Sequence, residues 1–207
     1  MKVIRPFGPT IAIANMSENL VKKLNDYVDK TLVDEKKSQD LDYGKKLAGN
    51  VKQEFLLDKE FVASSGWGSF LKDNAEKWIL TSINKKIKKF KLIDSWVVRQ
   101  FENEYNPLHS HGGHISGVGY LKIPEDYGKT IQEGKNQNFN GMLQLVYGSK
   151  SFLSEMATNI KPKVGDFYFF PNYLMHTVFP FKDSDEERRS ISFNANINDE
   201  IYNVYSA

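Results

Sequence analysis

Hydrophobic residues are spaced in two different ways along the chain, and the change falls near residue 92. Before it the spacing is helical. Leu20, Val21, Leu24, Tyr27 and Val28 share one face of a 3.6-residue period, with Lys22, Lys23, Asp26 and Asp29 opposite and Asn15 or Ser17 placed to cap the first turn. A second stripe, Leu71, Ala75, Trp78, Ile79, Ile83 and Ile87, follows Gly66-Trp67-Gly68 and predicts another helix. Ahead of both, a turn at Phe7-Gly8-Pro9 leads into an apolar run that reads as a strand opening a sheet. Residues 33–57 are polar, mixed in charge and interrupted by Gly44 and Gly49, which predicts loops with limited regular structure.

From Ile93 onward the apolar runs become short, β-branched and aromatic. Residues 95–101, 115–123, 142–147, 167–170 and 190–194 are each bounded by Gly, Pro, Asn or Asp. Short strands in series with no helices between them indicate a sandwich or barrel. The expected fold is therefore α+β, mainly β, with N-terminal helices packed on a jelly-roll core. No linker separates the two halves, so residues 1–207 are expected to form one domain, 1–92 a helical layer with loops and 93–207 the β core.

Composition narrows the possible partners. With 28 Lys plus Arg against 26 Asp plus Glu the net charge is +2, so no global field draws nucleic acid or anionic lipid. Five lysines lie between Lys85 and Lys91; they read as the last turn of the second helix, offsetting its dipole, rather than as a nucleic-acid patch. The chain has no cysteine, which excludes disulfides, thiolate ligands and cysteine nucleophiles and fits a reducing cytoplasm. Its N-terminus lacks the apolar core of a secretion signal, and no stretch reaches the ~18 to 20 apolar residues of a membrane helix. A complete, cytoplasmic chain is the expectation; its oligomeric state is not legible.

The candidate chemistry sits in Asn106-Pro107-Leu108-His109-Ser110-His111-Gly112-Gly113-His114, which holds three of the four histidines. In an extended strand His109 and His111 point the same way, as two ligands of one metal must. His176, beyond a strand-like aromatic run and the turn Pro171-Asn172, can supply a third imidazole; His114 has opposite parity and is expected to be a neighbour. Neutral imidazole suits Fe(II), Zn, Ni or Cu. Downstream, Arg188, Ser190, Ser192 and Asn194 alternate with Arg189, Ile191 and Phe193, so the polar set is expected to face the same pocket. A buried arginine beside a metal offers the donor fork that a carboxylate requires. On the residues alone, a cupin-like three-histidine dioxygenase, or a β-barrel module holding a structural metal, stays open.

The order His109-x-His111, Tyr120-Leu121, Gly165-Asp166 with Phe170-Pro171, His176, and Arg188-x-Ser190 with Phe193-Asn194 resembles the Fe(II)- and 2-oxoglutarate-dependent oxygenases of the double-stranded β-helix fold. It is most similar to a branch seen in bacteria and their phages, with prolyl 4-hydroxylases as better-known relatives, over about residues 94 to 197. The resemblance implies Fe(II) on His109, His111 and His176, and 2-oxoglutarate held by Arg188, Ser190 and Tyr120. It implies O2-dependent hydroxylation of an unactivated C–H bond, with decarboxylation of 2-oxoglutarate to succinate. By analogy the substrate is peptidyl proline or another amino acid, either as a small molecule or in a peptide; for a phage-encoded chain the setting is host cytoplasm. One residue departs from the superfamily: His111 stands where an Asp or Glu ligand is usual.

Overall fold

Side-chain alternation along the strands decides the architecture, because one large sheet must bury both of its faces. The computed structural model describes residues 1–4, 8–129 and 137–203. Its strands are β1 Lys2–Ile4, β2 Ile11–Asn15, β3 Gln53–Leu56, β4 Phe90–Gln100, β5 Asn106–His109, β6 Ile115–Lys122, β7 Leu143–Val146, β8 Ala157–Ile160, β9 Asp166–Pro171, β10 Met175–Val178 and β11 Arg188–Ile197. Seven of them form a sheet ordered β1-β2-β9-β6-β11-β4-β3, and four form a second sheet ordered β5-β10-β7-β8, with every pairing antiparallel. The helices are α1 Glu18–Val33, α2 Glu35–Asp40, α3 Lys59–Ser64, α4 Trp67–Ile83 and α5 Asp199–Tyr202.

On the outer face of the large sheet, Phe167, Phe169, Ile191 and Phe193 pack under α1 and α4 in one core, with Trp67, Leu71, Ala75 and Trp78 above them. Burying each of these rings is worth roughly 1.5–3 kcal/mol. Their alternating neighbours Tyr168 and Phe170, with Val118 and Tyr120, form a second core against Leu143, Leu145 and Val178 of the small sheet. Two glycines admit the rings: a Cβ on Gly117 would lie 2.7 Å from Phe167 and 2.8 Å from Phe193, and one on Gly119 would strike Phe167. Trp67 ties α4 to the sheet by donating its Nε1–H to Ser95 Oγ at 2.9 Å.

The N-terminal helix is fastened electrostatically as well. Arg189 leaves β11 on the outer face, where Glu187 accepts from it at 2.7 and 3.0 Å and from Arg99 at 2.7 and 3.2 Å. Arg189 also reaches Asn25 and Asp29 of α1 at 2.9 and 2.8 Å. Burial pushes the Glu187 carboxyl up, but the two guanidinium groups outweigh it and hold it at about 2. A depressed carboxylate stabilises the fold above its unfolded value near 4.3 and loses that contribution as pH falls toward 2. Glu187→Gln, which leaves Arg189 only the exposed Asp29 carboxylate as its charge partner, is expected to cost about 1.5–3 kcal/mol at pH 7. Denaturant unfolding of both proteins checks this, and the gap should close as pH approaches 2; a gap below about 1 kcal/mol at pH 7 would contradict it.

Several sequence expectations need correction. Residues 33–57 are more ordered than predicted: Asp34 caps α2 by accepting from Lys37 N–H, a 3-10 turn spans Gly44–Lys46, and β3 forms the edge of the large sheet. Helix α4 stops at Ile83 because Asn84 takes a left-handed conformation (φ 53°), so Ile87 is buried beyond the helix. The lysines from Lys85 on therefore do not serve its last turn; the N–H groups of Lys88 and Lys89 donate to Asn198 Oδ1 at 2.7 and 2.9 Å. Ser17, rather than Asn15, caps α1. Phe7 of the predicted first turn lies outside the described residues. Among those described, no helix is long and apolar enough to cross a membrane.

Candidate metal centre and co-substrate pocket

The histidines meet between the two sheets. His109 ends β5 and pairs directly with His176 of β10. His111 lies past the strand, so strand parity does not bring it to the site; a clamp does. Its N–H donates to Asn172 carbonyl at 3.0 Å, and Asn172 Nδ2 donates back to His111 carbonyl at 3.2 Å. Ring centroids are separated by 5.0 Å (His109 to His111), 4.3 Å (His109 to His176) and 4.9 Å (His111 to His176). One ring nitrogen from each lies within 4.8 Å of the other two, and among the described residues this is the cluster able to hold a metal.

The outer nitrogens are already committed. His109 Nδ1 contacts Pro107 carbonyl at 2.6 Å and His176 Nδ1 contacts Leu174 carbonyl at 2.9 Å, so each Nδ1 carries the proton and each Nε2 keeps a lone pair for the centre. His111 Nε2 and His176 Nε2 approach to 3.1 Å. At bond lengths near 2.1 Å, two nitrogens at right angles on one ion lie about 3 Å apart. Burial lowers all three pKa values; repulsion from His109 adds to it at His111, and from His109 and His111 at His176, bringing these two to about 4 and about 3. The cluster is neutral at pH 7 and presents lone pairs. His114 is elsewhere: it stacks on Tyr202 at 4.0 Å and receives Ile197 N–H at 3.2 Å.

Arg188, Ser190 and Tyr120 converge on one side of this centre. A small cavity of about 40 Å³ runs from the three histidines to Ser190, walled by Val118, Leu143 and Phe170. Behind Ser190 the Arg188 guanidinium is 1% exposed, donates to Gly141 carbonyl at 3.1 Å and to Ser190 Oγ at 3.4 Å, and lies 5.1 Å from the Tyr120 ring. Arg188 Nη2, Tyr120 OH and Tyr127 OH are buried with no hydrogen-bond partner among the described residues. Burial raises the pKa of both tyrosines, against the pull of Arg188, so each keeps its proton to donate. Three unmet donors around a buried cation that has no acidic partner among the described residues would each cost ~1–3 kcal/mol if left so, and a carboxylate satisfies all of them.

The opposite flank opens into a chamber of about 230 Å³, where His109 and His111 meet Trp96, Asn106, Glu54 and Asp94. Sequence reasoning singled out neither acid, nor Tyr127. Asp94 was findable: it shares strand parity with Trp96 and Val98, both of which face the site. Glu54 was hidden in β3, four residues inside a stretch with loop composition, and Tyr127 lies in the loop after β6 with no periodicity to place it.

Residues 94–194 match the family model described as "Putative 2OG-Fe(II) oxygenase". No curated protein matches the chain in sequence. Among solved structures, a Pseudomonas putida prolyl-4-hydroxylase superposes with a TM-score of 0.59 at 14% identity, over 89% of this chain and 91% of that one. The collagen prolyl hydroxylase of Paramecium bursaria Chlorella virus-1, in its 2-oxoglutarate complex, gives 0.56 at 18% identity, over 89% and 94%. HygX from Streptomyces hygroscopicus, with nickel and 2-oxoglutarate bound, gives 0.57 at 12% identity, over 90% and 82%. At these identities the likeness is one of fold, the double-stranded β-helix. The family match covers the strands that carry the histidine cluster and Arg188, and over that segment the chain is similar to the 2OG-Fe(II) oxygenases.

Proposed function

We propose that this protein is an Fe(II)- and 2-oxoglutarate-dependent dioxygenase that hydroxylates an unactivated C–H bond of an amino-acid or peptide substrate. The observation that carries the reading is the set of unmet donors on Arg188, Tyr120 and Tyr127, gathered behind Ser190, which lines one cavity with three neutral imidazoles. His109, His111 and His176 would hold the metal. Arg188, Tyr120 and Ser190 would hold the distal carboxylate of 2-oxoglutarate, with Tyr127 as a further donor.

With O2, this metal and co-substrate supply the oxidising power for hydroxylation, as 2-oxoglutarate loses CO2 to become succinate, one oxygen atom entering each product. The chain's own residues bind, orient and exclude water. The Nδ1–H bonds of His109 and His176 fix their tautomers. The buried guanidinium sets the direction of the co-substrate. Val118, Leu143 and Phe170 keep the passage between them dry. Because His111 replaces the usual carboxylate ligand, three neutral imidazoles leave the full +2 on the metal, which a dianionic co-substrate offsets.

Turnover tests the reading. The folded protein with Fe(II), 2-oxoglutarate and air is expected to release succinate, at a rate that requires both additions. Folded, metal-loaded protein that forms none would count against it.

A further inference from the structure

We infer that the chamber beside His109 and His111 is the substrate pocket and that it selects a primary amine, as its ammonium ion, through Glu54 and Asp94. This extends the oxygenase reading, because only that reading makes the histidine face of the chamber the reacting end. Glu54 is 2% exposed, yet its Oε1 receives no aligned donor among the described residues. The Asn106 amide is its polar neighbour. Asp94 accepts from Tyr43 OH on Oδ2 at 2.8 Å, while its Oδ1 is likewise buried and unpartnered. Two carboxylates thus line one cavity of about 230 Å³, each with an oxygen in want of a donor.

A structural role does not account for them. No cation pairs with Glu54 or Asp94 among the described salt bridges, in contrast to Glu187, which is buried between two arginines. Burial, seconded by repulsion from Asp42 and Glu104 and only partly offset by the Asn106 amide, lifts the Glu54 carboxyl to about 7, so the pocket holds this acid at a cost and without a cationic partner among the described residues. An ammonium group with three donors supplies what both oxygens lack. Lys46 also borders the chamber, but its ammonium lies over the Tyr43 ring at 5.4 Å and it is an exposed rim residue. The volume suits a small amine or one lysine-like side chain. A longer groove along Leu56, Val62 and Ile93 shares Tyr43, Lys46 and Asp94 with the chamber and gives the rest of a larger substrate a place to lie. Held this way, the carbons next to the amine face His109 and His111.

Isothermal titration of the full chain at pH 8 with 1,5-diaminopentane and 1,5-pentanediol, and with lysine amide and norleucine amide, tests the assignment without needing turnover. The amine of each pair is expected to bind about tenfold or more tightly than its neutral match. Glu54→Gln and Asp94→Asn are each expected to remove most of that difference. Gln mimics the protonated acid, so E54Q should fold; melting curves verify both variants, and D94N keeps the test alive if E54Q fails. Equal binding of amine and neutral match, or undiminished amine preference in the folded variants, overturns the proposal. Amine selection without succinate formation would sink the oxygenase reading and leave this site standing; succinate formation without amine selection would do the reverse.

Discussion

Replacing Arg188 with alanine is expected to raise the 2-oxoglutarate concentration needed for half-maximal succinate formation by at least 100-fold, with metal affinity retained. Arg188 is 1% exposed, and among the described residues its guanidinium donates to Gly141 carbonyl and Ser190 Oγ, both neutral. Losing one member of a buried, hydrogen-bonded charge pair costs about 3–5 kcal/mol, which is a factor of roughly one hundred to several thousand. The variant should fold, since it removes a buried charge that no acidic side chain among the described residues balances. Arg188→Lys keeps the charge but loses the planar fork, and should recover only part of the affinity. The same experiment separates two metal chemistries. The His109, His111, His176 set, without a carboxylate, also resembles cupin-like dioxygenases that place the organic substrate on the metal. An enzyme of that kind would continue to consume O2 after Arg188→Ala.

His176→Ala is expected to abolish turnover and to weaken metal binding by more than about 100-fold, a larger loss than removal of an outer-shell partner produces. His176 is central to the cluster: it pairs with His109 across the small sheet and its Nε2 is 3.1 Å from that of His111. Metal titration in the absence of 2-oxoglutarate measures the effect directly. The pH dependence has a definite sign. Imidazoles with folded values of about 4 and about 3 are neutral in the native protein, whereas their unfolded values lie near 6.5. The metal-free fold therefore loses stability as pH falls below about 6.5, since the unfolded chain takes up protons that the native cluster refuses. Removing His176 should lessen that acid sensitivity even as it destroys the metal site. A variant that still bound metal at wild-type strength would show that the ion sits elsewhere.

Much of the β core was legible because both of its faces are buried. Along β9, Phe167 and Phe169 serve one core, Tyr168 and Phe170 the other, and such a run of aromatics between turn residues has few other readings. The alternation of β11 likewise separated Arg188, which faces the pocket, from Arg189, which faces α1. The N-terminal half was harder to read where tertiary contacts rather than local patterns decide structure. Strand β3 exists because β4 offers it an edge, and its four residues carry no period of their own. Parity gave His111 the right direction by the wrong route: the strand ends at His109, and the Asn172 clamp, from a turn sixty-odd residues away, sets the ring. Tyr127 could not be found at all without the fold, since only the tertiary structure brings its hydroxyl beside the Arg188 guanidinium.

The measurement that bears most directly on the central claim, that metal and 2-oxoglutarate share the space between the histidines and Arg188, is an anaerobic titration of the Fe(II)-loaded protein with 2-oxoglutarate. The wild type is expected to develop a visible metal-to-ligand charge-transfer band that saturates at one 2-oxoglutarate per chain, and Arg188→Ala should not develop it over the same range. Folded wild-type protein that holds Fe(II) yet shows neither the band nor 2-oxoglutarate binding would contradict the account.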